Sequence, residues 1–267
     1  MTSSSRAESR AERGPERSAA DVLASSFGFR SVDPAEKGRL VGAVFARVAR
    51  RYDLMNDLMS LGVHRLWKES LLDWLYPRPG LRVLDLAGGT GDVAVRLLRR
   101  LEGRARVVLV DASPEMLRVG RDRAMDEGWL AEIRWIAGDA QAIPCPSRSF
   151  DAVTMAFGLR NVPRIERALA EVLRVLKPGG RFLCLEFSRL TLSALEPLYD
   201  AYSFAVLPRL GQLVAGDAAS YRYLVESIRR FPDQQTLARM FAEAGFSRVR
   251  WRNLSGGIAA IHSGWRL

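Results

Sequence analysis

A glycine-rich turn after an apolar run is the clearest chemical signal in this sequence. The run is Val-Leu-Asp-Leu at residues 83–86, and Gly88, Gly89 and Gly91 follow it. A helical pattern begins at once, so the turn lies between a strand and a helix start, where nucleotides commonly bind. Glycines suit this place because a Cβ would block a ligand lying across the turn. The arrangement predicts a nucleotide-type ligand beside Asp85.

Further carboxylates stand at the ends of the next predicted strands. Asp111 follows the second apolar run, where a carboxylate can accept hydrogen bonds from both hydroxyls of a ribose. Asp139, between Gly138 and Ala140, closes the third run and suits an adenine amino group, and Asp151 opens the fourth. Parallel sheets bind their ligands at the carboxyl ends of the strands. We therefore expect these groups to converge there.

An acidic residue after the second strand can bind the ribose of a nicotinamide dinucleotide as well as that of S-adenosylmethionine. The sequence of the glycine turn must therefore distinguish between these two ligands. A dinucleotide site favours G-x-G-x-x-G, and the register Ala87-x-Gly89-x-Gly91 does not supply it. Asp92, next to the turn, is expected to repel phosphates but tolerate a sulfonium cation. Lys-Pro-Gly-Gly at residues 177–180 is a further mark of the methyl-donor layout. The ordered set favours S-adenosylmethionine.

The elements that position these residues alternate between strand and helix patterns from residue 82 onward. Such alternation predicts βαβ units and a mainly parallel sheet. The expected helices lie near 91–101, 114–126, 164–176 and 233–244. The expected strands lie near 82–86, 106–110, 132–137, 150–156, 180–187, 246–253 and 257–265. The last two strands have only a short link at residues 256–257, so they must be antiparallel.

Helical segments are predicted outside this core. Asp33 and Pro34 resemble the cap and first turn of a helix that runs to about residue 51. Two shorter helices follow at 52–62 and 63–76, which makes residues 27–78 a helical front end. Residues 188–231 are predicted to form a helical insertion that acts as a lid. Residues 1–26 have little to bury, so we expect a disordered tail before a single domain over 27–267.

Composition excludes some classes of protein. There is no run of 18 apolar residues, so no transmembrane helix is expected. Cys145 and Cys184 are far apart and lack the spacing of a disulfide framework or a zinc site, which favours a reducing cytosol and no metal. The net charge of +10 is carried by arginine. It suits anionic membranes, anionic ligands or nucleic acid, or simply reflects arginine-rich solvated faces.

Several stretches resemble the ubiquinone/menaquinone biosynthesis C-methyltransferases (UbiE type). The most specific are Tyr-Asp-Leu-Met-Asn-Asp at 52–57, Phe-Gly-Leu-Arg-Asn at 157–161 and Ser-Tyr-Arg-Tyr-Leu at 220–224. Other matching stretches lie at residues 45–51, 62–68, 86–92, 174–180, 185–188, 216–219 and 232–234. The resemblance runs from about residue 27 to the C-terminus. It implies a class I S-adenosylmethionine-dependent methyltransferase fold: a Rossmann-like α/β domain whose mostly parallel seven-stranded sheet has an antiparallel last strand, with a helical lid.

The same resemblance implies C-methylation of a polyprenylated quinol, either demethylmenaquinol, a 2-polyprenyl-6-methoxy-1,4-benzoquinol, or both. It carries donor contacts over to Thr90, Asp111, Asp139 and Ala140. Ala156 stands where relatives often have a serine that contacts the donor, which removes a hydroxyl. With the turn and its neighbours, the candidate donor-binding residues are Asp85, Gly89, Thr90, Gly91, Asp111, Ala112, Asp139, Ala140 and Ala156.

The candidate catalytic residues by this resemblance are Tyr52, Arg160 and Asn161. Ring methylation requires loss of a phenolic proton, whose pKa is near that of tyrosine at about 10. Arg160 keeps its own proton, so its expected role is to stabilise the phenolate beside Asn161. His64 is the candidate base because its ordinary pKa suits the task. The alternatives are a structural His64 and a water relayed through a nearby aspartate.

Two other functions remain open on the sequence. An RNA methyltransferase fits the charge but not the Phe-Gly-Leu-Arg that follows the fourth strand, and a non-catalytic donor-binding scaffold of a quinone-synthesis complex is the second alternative. The expected partners are a polyprenyl quinol, the membrane surface, and either a quinone-biosynthesis complex or a second copy of the chain, with no nucleic acid. We expect a cytoplasmic protein that binds peripherally to the inner face of the membrane.

Overall fold

A computed structural model describes residues 19–191, 205, 209, 212 and 218–267. Its strands are β1 (Ser26–Phe27), β2 (Arg30–Ser31), β3 (Arg82–Leu86), β4 (Arg106–Asp111), β5 (Ile133–Ala137), β6 (Phe150–Ala156), β7 (Leu176–Phe187), β8 (Ser247–Leu254) and β9 (Ala259–Trp265). Its helices are α1 (Ala19–Ala24), α2 (Pro34–Val48), α3 (Tyr52–Ser60), α4 (His64–Leu75), α5 (Asp92–Arg100), α6 (Pro114–Asp126), α7 (Ile165–Val175), α8 (Ala218–Arg230) and α9 (Gln234–Glu243).

The central sheet has seven strands in the order β5-β4-β3-β6-β7-β9-β8. The pairs from β5 to β7 are parallel, and β9 runs antiparallel to both of its neighbours, β7 and β8. The predicted fold class is confirmed. The chain moves outward from β3 to β5 and then returns to place β6 on the other side of β3, so a crevice opens at the carboxyl ends of β3, β4 and β6.

Strand β7 begins earlier than predicted. Leu176 already pairs with Phe150, and the register then shifts before Ala152 pairs with Arg181. The Lys-Pro-Gly-Gly stretch lies inside this irregular part of the strand, where Gly179 has φ of 79° and its N–H donates to the carbonyl of Arg266. Glycine is suited to this place because an L side chain seldom adopts that φ.

Local sequence signals explain where the helices on the sheet begin. Asp33 accepts a hydrogen bond from the N–H of Ala35 ahead of α2, and Ser113 accepts one from Met116 ahead of α6. Both caps precede a proline, which is suited to the first helical turn. The two faces of the sheet carry separate apolar clusters, one around Leu71, Leu97 and Leu109 and the other around Phe150, Phe182 and Phe241.

The N-terminal segment differs from the prediction of a tail up to residue 26. Residues 1–18 lie outside the described residues, but α1 occupies Ala19–Ala24 and its Leu23 is buried in the core. A two-stranded β1–β2 hairpin follows. Phe27 stacks on Tyr223 of α8 with ring centroids 4.2 Å apart. The segment folds because these few apolar residues find distant partners, which its composition does not reveal.

The predicted front end contains the helices α2, α3 and α4, whose boundaries differ slightly from the expected ones. The first helix ends at Val48 and continues as a 3₁₀ turn over Ala49–Arg51, and α4 ends where Tyr76 adopts a left-handed φ of 52°. Of the predicted lid at 188–231, the structure describes α8, while residues 192–204, 206–208, 210–211 and 213–217 lie outside the described residues. In the part of the chain that is described, no helix has the length and apolar character needed to cross a bilayer.

Candidate functional site

The glycine turn owes much of its sequence to packing. A Cβ on Gly88 would lie 2.6 Å from Cγ of Leu109, and one on Gly91 would lie 2.7 Å from the ring of Trp135. Gly89 and Gly91 also have left-handed φ values of 56° and 80°. The predicted reason, room for a ligand, therefore applies to Gly89 at most, because Gly88 and Gly91 are required by neighbouring side chains.

Asp111 lies at the end of β4 with its carboxylate fixed from two sides. Its Oδ2 accepts a hydrogen bond from the N–H of Gly89 at 2.8 Å, and its Oδ1 accepts one from Ser113 at 2.8 Å. Burial raises the pKa of Asp111, and these two backbone donors oppose the rise. Each carboxylate oxygen has two lone pairs, so both oxygens keep capacity for ligand hydroxyls.

A cavity of about 190 Å³ opens beside this carboxylate. Its floor comes from the carboxyl edge of the sheet and the glycine turn, including Leu86, Ala87, Gly89, Val110 and Asp111. One side is the loop at 138–141, and another is the segment at 157–163. Its cover is α2, through Gly38, Val41, Gly42 and Phe45. Five of the predicted donor residues line it: Gly89, Asp111, Ala112, Asp139 and Ala140.

Sequence reasoning missed Gln141 in the 138–141 loop, and it missed Gly38, Val41 and Gly42 of α2. The side chain of Gln141 donates to the carboxylate of Asp139 at 2.9 Å and orients it. Its Oε1 accepts from the N–H of Arg164 at 3.2 Å. The i, i+3, i+4 and i+7 spacing of Gly38, Val41, Gly42 and Phe45 signals one helix face. Nothing in the local sequence shows that this face covers the carboxyl edge of the sheet.

A second cavity, of about 20 Å³, lies on the other side of the turn. Thr90, Asp85 and Ala156 line it, and it shares Ala87 and Gly89 with the larger cavity. Burial raises the pKa of Asp85 to about 7, against a 2.9 Å hydrogen bond from the hydroxyl of Thr154. The predicted donor residues therefore divide between two adjoining cavities, while Gly91 lines neither.

The structure changes the effect expected of the negative charge on Asp92. Its carboxylate pairs with Lys68 at 2.8 Å and with Arg96 at 2.7 Å. Burial alone would raise the pKa of Asp92, but the two cations outweigh it and lower the pKa to about 2. A carboxylate compensated in this way does not strongly repel phosphates. The expectation that Asp92 repels phosphates treated its charge as free, whereas Lys68 of α4 and Arg96 of α5 compensate it.

Arg160 also lies in a different environment from the one expected. Its guanidinium donates to Glu186 at 2.7 Å and to the carbonyl of Phe157 at 2.6 Å, and both charged side chains are buried. It does not line the large cavity. Arg160 therefore presents no uncompensated cation to the large cavity, since Glu186 of β7 pairs with its guanidinium.

Asn161 does reach the cavity, and its amide is oriented from both ends. Its Oδ1 accepts from the hydroxyl of Tyr223 at 2.9 Å, and its Nδ2 donates to the carbonyl of Phe157 at 3.3 Å. Burial raises the pKa of Tyr223, so that its hydroxyl stays protonated and keeps donating. Phe157 itself has a left-handed φ of 59°. The contacts of Arg160 and Asn161 to its carbonyl hold this unfavourable backbone in place.

His64 and Tyr52 stand apart from these groups. His64 is buried at the start of α4, where its Nε2 lies 2.9 Å from Oδ1 of Asp57. Burial lowers the pKa of His64, and the nearby positive charge of Lys68 lowers it further. It lines neither cavity, so the structural alternative for His64 fits its contacts better than the base. Tyr52 begins α3, but its side chain lies outside the described residues.

The residues at the two cavities fit S-adenosylmethionine. A fixed carboxylate at Asp111 offers acceptors to a ribose, and Asp139 offers one to an exocyclic amine. Val110 and Met116 supply apolar wall for a flat ring. Comparison with known proteins identifies the protein family. Residues 30–266 match the model of the ubiE/COQ5 methyltransferase family. The chain belongs to the ubiE/COQ5 methyltransferase family.

Two relatives in this family are similar over nearly the whole chain. A protein of Paracoccus denitrificans named ubiquinone/menaquinone biosynthesis C-methyltransferase UbiE is 58% identical over 241 residues, which cover 90% of this chain and 96% of that one. A protein with the same name from Brucella abortus is 54% identical over 244 residues, or 91% of each chain. Both confirm the family resemblance that the motifs predict.

The fold agrees with that of solved methyltransferases. An S-adenosylmethionine-dependent methyltransferase from Aquifex aeolicus superposes with a TM-score of 0.59 at 17% identity, covering 80% of this chain and 97% of that one. At such identity the likeness concerns the fold alone. Together with the family match it confirms that the chain is a class I methyltransferase that uses S-adenosylmethionine as its donor.

Proposed function

We propose that this chain transfers a methyl group from S-adenosylmethionine to a ring carbon of a polyprenylated quinol in respiratory quinone biosynthesis. The acceptors are demethylmenaquinol, 2-polyprenyl-6-methoxy-1,4-benzoquinol, or both. The observation that carries the proposal is the cavity at the sheet's carboxyl edge, with the fixed Asp111 carboxylate on its floor and α2 as its cover. The names of the two relatives support the acceptor class.

The donor-binding roles follow from chemistry and position. Asp111 accepts from the ribose hydroxyls, and Asp139 with Ala140 receives the adenine edge. Gly89, Thr90 and the neighbouring Asp85 and Ala156 border the cationic end of the donor, where a carboxyl group is favourable. S-adenosylmethionine, when bound, supplies a methyl group on a positively charged sulfur, open to attack by an electron-rich carbon.

The acceptor side is organised by the segment at 157–163. Asn161 uses one N–H of its amide on Phe157 and keeps the other for a ring oxygen of the quinol. Arg160 holds this segment to β7 through Glu186, and its role is to position Asn161 rather than to face the ring. The low water content of a covered cavity strengthens such hydrogen bonds as negative charge develops on the ring oxygen.

We further infer that the chain takes its substrate from a membrane surface. The corner between α3 and α4 exposes Leu61 (77%) and Leu66 (67%), and Leu54 in the first turn of α3 is 40% exposed. Helix α2, whose Phe45 lines the cavity, joins the start of α3 through a 3₁₀ turn. A net charge of +10 favours anionic bilayers. Peripheral binding on the inner face of the cytoplasmic membrane agrees with these features.

One assay separates this function from its alternatives. Purified protein is incubated with methyl-labelled S-adenosylmethionine and either the two quinols in detergent or total RNA. We expect label in the lipid extract and none in RNA. Label in RNA alone would identify an RNA methyltransferase. Donor binding by calorimetry with label in neither fraction would indicate a non-catalytic scaffold and would overturn the proposal.

A further inference from the structure

Lys37 is a buried cation that the methyl-transfer chemistry does not use. Lys37 is only 1% exposed, although lysine is seldom fully buried in proteins. Its ammonium donates to the carbonyl of Leu23 at 2.7 Å and to the carbonyl of Val162 at 3.4 Å. Within the described residues no carboxylate pairs with it. Burial lowers the pKa of Lys37 to about 8.

The two carbonyls belong to elements that are far apart in the sequence. Leu23 lies in the last turn of α1, where orphan carbonyl groups favour a cation. Val162 follows Asn161 and lines the large cavity. Lys37 itself precedes Gly38, the first α2 residue at the cavity. One ammonium therefore joins the N-terminal helix, the cavity cover and the acceptor-side rim.

A second set of contacts reaches the same rim from the opposite direction. Tyr223 of α8 donates its hydroxyl to Asn161, and its ring stacks on Phe27 of β1. The N–H of Phe29 donates to the carboxylate of Glu226, also in α8, at 3.0 Å. The N-terminal segment thus contacts both Lys37 and α8, and these in turn contact Val162 and Asn161.

We propose that Lys37 is a positioning residue that fastens α2 to the rim of the cavity at Val162 and so sets the closed geometry in which α2 covers the donor. The proposal rests on the donor-binding function given above. A buried ammonium without a carboxylate is unfavourable for folding. Its place between three elements at the cavity gives it a role that an apolar side chain of equal length does not fill.

The test compares Lys37→Met with Arg39→Met. Methionine replaces the apolar stem of Lys37 but removes the ammonium and its donors, and Arg39 is an exposed cation two residues further along the same helix. Calorimetry with S-adenosylhomocysteine as the probe measures affinity, and initial rates separate the KM for the donor from kcat. We expect Lys37→Met to weaken binding about ten-fold, with donor KM raised and kcat within about two-fold of the parent, as for the loss of one charged hydrogen bond. Arg39→Met should behave as the parent protein.

A second measurement uses the parent protein, so that a misfolded variant does not end the test. Helix α1 contributes no residue to the cavity. If Lys37 couples α1 to the cavity cover α2, binding of S-adenosylhomocysteine should slow amide hydrogen exchange in α1 as well as in α2. Unchanged exchange in α1, or parental affinity in a folded Lys37→Met, would overturn the proposal. A parent protein that fails to bind S-adenosylhomocysteine would instead overturn the proposed function.

Discussion

Three aspartates near the glycine turn differ because of the groups that each carboxylate meets. Asp111 is held by two backbone N–H groups and keeps free lone pairs for a ligand. Asp92 is compensated by Lys68 and Arg96. Asp85 is buried beside a hydroxyl, and its pKa rises to about 7. Residue type alone therefore does not assign a role, and the neighbours decide which carboxylate recognises the donor.

Replacing Asp111 by Ala should weaken the binding of S-adenosylhomocysteine about 100-fold, because two hydrogen bonds to a charged acceptor are lost. Isothermal calorimetry measures the change. Asp122→Ala is the control, since it removes the same charge from an exposed site on α6. Equal affinity in the Asp111 variant and its control would remove Asp111 from the donor site.

His262 should make stability depend on pH in an acidic window. Burial lowers the pKa of His262 to about 4, although its Nε2 has a 2.9 Å contact with the carbonyl of Gln234. The unfolded chain takes up the proton near pH 6.5, before the folded protein does, so stability is present above pH 6.5 and is lost as the pH falls towards 4. The loss is on the order of 3 kcal/mol.

Urea unfolding at pH 7 and pH 4.5 tests this expectation with His262→Gln as the comparison. The amide does not titrate, so the variant should lose less stability between the two pH values than the parent. His64 remains in both proteins and contributes equally to each curve. Parallel losses in parent and variant would show that His262 is not responsible.

At the scale of elements, α2 is the part that turns an open sheet edge into a covered cavity. Its apolar residues pack inward on one side, while Gly38 and Gly42 face space in which an added Cβ would meet no atom within 4 Å. Both line the cavity. Glycine within a helix is unfavourable relative to alanine. These positions therefore gain room for the donor at the expense of helix stability.

Gly38→Ala and Gly42→Ala should each stabilise the free protein by about 0.5–1 kcal/mol, the usual difference between the two residues in a helix. The same methyl groups should intrude on the bound donor and weaken S-adenosylhomocysteine binding about five-fold or more. Thermal unfolding and calorimetry on the same samples provide the two readouts. Higher stability combined with undiminished affinity would mean that α2 does not cover the donor as described.

At the scale of the whole molecule, the sheet order places the residues proposed for donor and acceptor binding at one edge, and the helical front end connects that edge to the α3–α4 corner. The corner presents exposed leucines, and the chain carries an excess of positive charge. An interface of this kind suits an acceptor whose prenyl tail remains in lipid.

Flotation with anionic liposomes at low salt should recover the parent protein with the vesicles. A double variant, Leu61→Ser with Leu66→Ser, should lose most of this binding, because two exposed apolar side chains no longer enter the bilayer. Met125→Ser is the matched control, since Met125 is 61% exposed and belongs to a different helix, α6. Failure of the parent protein to float would refute peripheral binding through this surface.

The sequence by itself determined the parallel sheet, the antiparallel final strand, the glycine turn and the carboxylates at the strand ends. Each of these depends on periodicity, turn residues or short spacing, which are local properties. The family resemblance followed from motifs of the same local kind. For that reason, five of the nine candidate donor residues, among them Asp111 and Asp139, meet in one cavity.

Only the tertiary structure decided the charge state of the site and its cover. Glu186 compensates Arg160 from 26 residues away, and α4 compensates Asp92 from 24 residues away. Lys37 reaches Val162 across 125 residues. Such contacts depend on how elements pack, and a charged residue has the same local pattern whether its partner is solvent, a carboxylate or a carbonyl. Packing therefore compensates the charges of Arg160 and Asp92, which the sequence alone shows without their partners.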